Sequence, residues 1–313
     1  MDAQGAGFLS DVDFKRLQDK DIVICGYDEK NLTDIGYNFT PTEFIFSVNK
    51  GALVKIYNRL NEKYCYVEPN DTVLILTREA IWVSEKIGGT FHSKVKLVSD
   101  GFGHISTTLD ANWEGPLLIS LNNPTKKKIK FSIAEDTGKG VTYKSFVTLI
   151  LYQMVSPAKN THDNPPCRLD ILKEKVRRPK FIDWSGGDYY RLENIVEKIR
   201  DTESLRVQIG NATNEEERKN RIESFYDKYK PFTKNLEFYI SEAHEINNNI
   251  IAKSHTFYWI KALILSSVFL VLLRWGVIAW NKQEANTLAF IAILISVYTP
   301  LYSKYVLEEK GGL

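Results

Sequence analysis

Between Phe91 and Phe131 the chain reads FHSKVKLVSDGFGHISTTLDANWEGPLLISLNNPTKKKIKF, and most residue types able to do chemistry gather there. His92, Ser93, Lys94 and Lys96 supply an imidazole, a hydroxyl and two ammonium groups; Asp110, Trp113, Ser120 and Asn122 add a carboxylate, an indole and two neutral polar groups. Such groups serve anion binding, proton relay and ring stacking, but each also has a plainer use. Lys94 and Lys96 alternate with Val95 and Leu97 as the outward side of a strand would. Asp110 suits a turn in which its side chain accepts backbone hydrogen bonds. Gly101, Gly103 and Gly115 suit positive-φ turns, since none stands in a glycine-rich loop before a helix. Of the five histidines only His92 and His104 fall in the block, and His104 reads as a packed residue. NPTKKKIKF reads as a turn followed by an edge strand guarded by lysines.

These residues must be positioned by a fold, and composition bounds it. The chain has 313 residues, 43% of them hydrophobic, and a net charge of +2, which permits a buried core and gives no case for bulk nucleic-acid binding. Cys25, Cys65 and Cys167 stand far apart without a CxxC pair, so free thiols are expected rather than a disulfide framework or a structural zinc. The His-x-Glu and Pro-Cys-x-x-Cys pattern of a zinc deaminase is missing.

Residues 1–157 alternate short β-rich runs with turn signals: EFIFSV, ALVKIY, TVLILT, HSKVKLV, PLLISL, KKIKFSI and FVTLILYQM. They predict a mainly β domain, preceded by a short helix in LSDVDFKRLQDKDI with Ser10 or Asp11 as its N-cap. Residues 158–185 are polar and proline-punctuated, a linker whose KEKVRRPK run is a solvated face or a contact for phosphate or anionic lipid. Residues 186–256 predict a helical stalk. Leu192, Ile195, Val196 and Ile199 share one helix face, and Thr213 with Glu216 has the spacing of a capping box. Ile222, Phe225, Tyr229, Phe232, Leu236, Tyr239, Ala243, Ile246 and Ile250 then form an apolar stripe, and Pro231 should break or bend the helix. The stripe serves a free stalk or helices packed back on the β domain. Residues 257–304 hold two apolar runs of roughly 20 residues, the length of a bilayer span, with tryptophans and tyrosines towards their ends. They predict a two-helix transmembrane hairpin, a buried hairpin in a soluble domain being the alternative. The first residues lack the pattern of a signal peptide, so the expected location is the inner cell membrane, multi-pass, with the N-terminal domain and the C-terminus in the cytoplasm.

The order FLSDVDFKRL, IGYNF, EPNDTVLI, HSK, LDANWEG and LNN resembles the dCTP deaminase and dUTPase superfamily of trimeric distorted β barrels over about half the chain. That resemblance implies a nucleotide site formed by His92, Ser93, Lys94, Lys96, Asp110, Trp113, Ser120 and Asn122. His92 stands where the family has a phosphate-gripping Arg, so a bidentate fork is replaced by point charges. Ser120 stands where the deaminases carry an acid–base Glu, and a hydroxyl without an activating base does not relay that proton readily. In the dUTPase branch Asp110 would orient water and Trp113 would pack on the deoxyribose, with Mg²⁺ held through water; the glycine-rich closing arm of that branch is missing after LILYQM.

Three readings result. A membrane-anchored domain binds or senses a nucleotide with its catalysis degenerate, as a homotrimer and an antiphage effector of bacterial type. Alternatively, a working pyrophosphatase or dCTP deaminase is tethered to the bilayer. In the third, the barrel is a trimerisation scaffold. The first two imply a nucleotide ligand and all three a lipid bilayer. No cofactor is implied except Mg²⁺ in the hydrolase reading.

Overall fold

The computed structural model describes residues 6–159, 164, 166–168, 170–175 and 204–302. The helix expected around Leu192–Ile199 and most of KEKVRRPK lie outside the described residues. The chain divides into two compact units, 1–245 and 246–313.

The first unit is built on three antiparallel sheets. One runs in the order Ser106–Leu109, Ile87–Ser93, Val147–Gln153, Gly36–Phe39, Leu32–Thr33. A second runs Glu114–Asn123, Asp71–Val83, Pro41–Ser47, Ala52–Leu53, and a third Val141–Tyr143, Ile129–Asp136, Glu62–Val67, Tyr57–Arg59. Their inward residues, among them Tyr37, Phe39, Ile75, Phe91, Phe131 and Phe146, form one core. The helix Asp11–Leu17 closes on it through Phe14 and Leu17. Ser10 is its N-cap, exchanging bonds with Asp13 in a capping box. Ser10→Ala should cost about 1 kcal/mol, the usual worth of such a cap, measurable by urea unfolding.

Three expectations change, the first at ALVKIY, which is not one strand: Ala52–Leu53 and the start of Tyr57–Arg59 belong to two strands of different sheets. HSKVKLV is not one strand: the strand ends at Ser93, and Val95–Ser99 is a short helix begun at Lys94. The strand Ile129–Asp136 is an edge only in part: it pairs with Glu62–Val67 along its length and with Val141–Tyr143 over Ala134–Asp136, so among the described residues the half with Lys130 has a strand partner on one side. Lys128 and Lys130 pair with Glu68 and Glu62. The strand Ser106–Leu109 does lie at an edge: it pairs only with Ile87–Ser93 among the described residues, and Ser106, Thr107 and Thr108 are exposed.

The long helix Glu215–Asn281 starts one residue away from the expected box. Asn214 caps it by accepting from the Glu217 amide at 2.8 Å, and the Glu217 carboxylate reaches back to the amide and hydroxyl of Thr213. The helix continues through Pro231. Its stripe is not a free face between Ile222 and Ile240. Phe225 and Tyr229 are fully buried against Val23, Cys25, Ala80 and Trp82. Leu236 and Ile240 pack on Phe44, Phe46, Leu74 and Leu76. Ile240 replaces Tyr239 in the buried row because four residues, not three, bring the helix surface back over the sheet.

In the second unit, Trp259–Asn281 is the one helical stretch among the described residues long and apolar enough to cross a membrane, 23 residues of mean hydropathy 2.2. At 1.5 Å per residue it reaches about 35 Å, against roughly 30 Å of hydrocarbon. Exposed Trp259 and Trp280 stand at its two ends. The following helix, Ala285–Tyr302, carries a shorter apolar stretch, Ala285–Ser296, so the second of the two expected spans is not established. The two helices approach closely where Gly276 leaves room for Ile291.

Candidate functional site

His92 and Ser93 close the strand Ile87–Ser93, with His92 opposite Ser106 and Thr148. The His92 ring is exposed and meets the Thr90 hydroxyl at 2.9 Å. Ser93 Oγ accepts from the Ile105 amide, pinning the Asp100–Ile105 loop. Lys94 turns inward and donates to Ser145 Oγ at 2.8 Å, and burial holds its pKa below the usual lysine range. Lys96 pairs with Asp100 at 3.2 Å on the surface of the short helix. Of the four residues, therefore, His92 and Lys96 face solvent and Ser93 and Lys94 serve the fold.

Gly101 and Gly115 take φ of +103° and +124°, as expected of turn glycines. Gly103 does not; it lacks a side chain because a Cβ there would come within 3.2 Å of Asn122 Oδ1. The Gly103 amide also donates to the Asn122 carbonyl, so the loop lies directly on the end of the strand Glu114–Asn123. Asn122 and Ser120 are exposed on that strand. Neighbouring Asn123, unremarked in the sequence, is fully buried and its amide donates to the carbonyls of Val67, Glu68 and Lys127.

Asp110 opens a turn in which its carbonyl accepts from the Trp113 amide and Asn112 takes a φ of +58°. Its carboxylate is exposed. Trp113 is half-buried against the barrel core and spends its indole N–H on the Gly115 carbonyl at 3.0 Å, leaving part of one ring available. The next residue was not singled out by sequence. Glu114 receives the backbone N–H groups of Val207, Gln208 and Ile209, the segment leading into the long helix. Burial raises its pKa, and those three donors and Arg206 oppose the rise. Gly210 passes so close to Asn112 that a Cβ would sit 2.8 Å from its Oδ1. The LDANWEG turn is therefore also the platform on which the chain beyond the barrel is fastened.

The eight residues do not converge in one copy of the chain. Ser93 and Asn122 gather around the Asp100–Ile105 loop, whereas Asp110 stands beyond the far end of the strand Ser106–Leu109. Four residues of extended chain from Ser106 put it about 13 Å away. Trp113 and Ser120 are separated by seven residues along an extended strand, about 23 Å on the same scale. Among the described residues of one copy, no group of three or more His, Cys, Asp or Glu could hold a metal ion.

Three antiparallel sheets around one core, with the polar block at the rims of two of them, make a β-rich domain, and over that half the chain is similar in sequence to dCTP deaminases. No protein-family model matches the chain. The dCTP deaminase of Pyrococcus abyssi is 26% identical over 145 residues, covering 46% of this chain and 84% of that protein. That of Pyrococcus furiosus is 24% identical over 143 residues, 46% of this chain and 83% of the relative. Among solved structures, the 2′-deoxycytidine 5′-triphosphate deaminase from Agrobacterium tumefaciens is similar with a TM-score of 0.36 and 9% identity, over 47% of this chain and about half, 48%, of that one. The dUTPase from phage phi11 of S. aureus has a TM-score of 0.29 and 17% identity, over 45% of this chain and 96% of its own.

Proposed function

We propose that the protein is a membrane-anchored, dCTP deaminase/dUTPase-like nucleotide sensor in which catalysis is degenerate. Ser120 carries this reading. It stands, exposed, where the resembling deaminases place their acid–base Glu, and among the described residues its hydroxyl has no hydrogen-bonded base to activate it. His92 in place of the phosphate-gripping Arg, and Lys94 committed to Ser145, weaken the phosphate grip in the same direction. The wide separation of Ser93 and Asn122 from Asp110 and Trp113 favours a site shared between copies, as in a homotrimer whose open strand edges face a neighbour. The apolar stretch Trp259–Asn281, with Ala285–Tyr302 as a second, shorter crossing, serves as the anchor in the cell membrane, the barrel lying on the cytoplasmic side. A nucleotide acts by binding one arrangement of barrel and helix better than another, and the antiphage role is the use we assign to such a switch.

The experiment is a calorimetric titration of the detergent-extracted full chain with dCTP and dUTP, run beside a turnover assay. Binding without turnover, weakened at least tenfold in Trp113→Ala, is expected. Hydrolysis of dUTP that disappears in Asp110→Asn would instead establish the tethered-enzyme reading, which the exposed Asp110 carboxylate supports. Silence towards both nucleotides sinks the sensor and leaves the scaffold.

A further inference from the structure

Beside this rim, the barrel and the long helix enclose a second feature, a cavity of about 580 Å³. Its walls come from the Cys25–Asn31 segment, the start of the strand after Phe39, the Arg78–Glu79 pair, the Val141–Tyr143 strand and the helix between Lys230 and Glu237. None of the eight residues discussed above lines it. The volume falls within the range of small-molecule sites, about 300–1,000 Å³.

The charges are distributed unevenly. On one wall Arg78 is spent: it pairs with Glu237 and stacks on the Tyr143 ring, 3.4 Å from its centroid. At the floor Glu79 is buried, its two carboxylate oxygens taking the Thr40 amide and hydroxyl at 3.0 and 2.7 Å. At the mouth stand Lys30, from the turn Glu29–Asn31, and Lys230 with Lys234, from the helix. Among the described residues no carboxylate lies within ion-pair distance of these three lysines. Lys230 and Lys234 are one helical turn apart on the same wall, so they repel each other. Three ammonium groups from two elements line the cavity without ion pairs among the described residues, and the Asp28 carboxylate on the same wall accepts from the Lys30 amide at 3.0 Å; the set makes an anion site, and the buried polar floor supplies hydrogen bonding for what the anion is attached to.

We propose that this cavity binds a small phosphate ester, its phosphate held by Lys30, Lys230 and Lys234 and its polar body reaching the Glu79–Thr40 floor. Because the walls belong to both barrel and helix, the ligand favours the docked state of the helix: Thr233 Oγ1 already bonds the Arg78 carbonyl at 3.0 Å across the same seam.

The test uses the full chain in detergent, titrated with ribose 5-phosphate, inorganic pyrophosphate and, as an uncharged control, ribose. Ribose 5-phosphate should bind and ribose should not. Lys230→Glu combined with Lys234→Glu, exposed helical positions where Glu is well tolerated, should weaken binding at least tenfold. Lys30→Gln, on the opposite wall, should weaken it at least threefold. Trp113→Ala should leave affinity within twofold, which separates this cavity from the nucleotide site proposed on the rim. Binding of neither phosphate probe, equal binding of ribose, indifference to the lysine changes, or loss in Trp113→Ala would each overturn the proposal.

Discussion

Glu79→Gln is expected to make the protein more stable at about pH 7.5, by on the order of 3 kcal/mol, and to leave it little changed below about pH 4. Glu79 is 2% exposed, and burial raises its pKa from 4.5 to about 7 against the pull of the Thr40 hydrogen bonds and of Arg78. Between those two values the folded state retains a proton that the unfolded chain has released. Stability from this group is therefore fully present below about pH 4.5 and is lost as pH rises towards 7, the reverse of an ion-paired carboxylate. The other charged or titratable groups beside it are Asp28, Lys30, Tyr143, Lys230, Lys234 and Glu237, with Cys25, whose thiol burial pushes up to about 11, and Tyr37, whose hydroxyl burial pushes well above its ordinary range. Glutamine keeps the shape, accepts from the Thr40 amide and cannot ionise. Urea unfolding from about pH 4 to 8, followed in the wild type and in Glu79→Gln, should show a slope in the first that is missing from the second. Parallel curves would mean that Glu79 stays charged or solvated.

Glu114→Ala should release the segment Val207–Ile209 from the barrel. Three backbone N–H groups lose their acceptor, and a buried amide left unsatisfied costs about 1–3 kcal/mol. Gln208 is exposed and water replaces its partner, so the net loss is about 3 kcal/mol rather than the sum. Amide exchange at Val207 and Ile209 should accelerate about 100-fold, since each 1.4 kcal/mol is a factor of ten. Glu114→Gln keeps one acceptor oxygen and should fall between the two. Unchanged exchange in Glu114→Ala would show that Ile209, buried beside Phe225, holds the segment alone.

Most barrel strands were legible because apolar residues recur in runs bounded by Asn, Gly and Pro; ALVKIY was not, being shared between two strands. Val95–Ser99 was not, since SKVKLVS has period two by type, while the bonds from Phe102 to the Leu97 carbonyl and from Ile105 to Ser93 fold it into a helix. The stripe from Ile222 to Leu236 was legible as a sticky face, but not its partner: the residues it covers, such as Val23 and Trp82, look like ordinary core residues. Glu114 and Glu79 were invisible for a related reason. The amides that Glu114 collects lie 93 to 95 residues further on. Glu79 interrupts an apolar strand as a surface residue would, yet it shares the inward parity of Ile81 and Val83, and its partner Thr40 lies 39 residues away, beyond any local pattern.

The strand Ser106–Leu109 ends its sheet with serine and threonines and none of the lysines or prolines that usually discourage strand addition. A lone copy at high concentration would thus offer a ready template for any extended peptide. Handling should reflect this: concentrating the protein should favour precipitation, and a Thr107→Lys variant should stay clear under the same treatment.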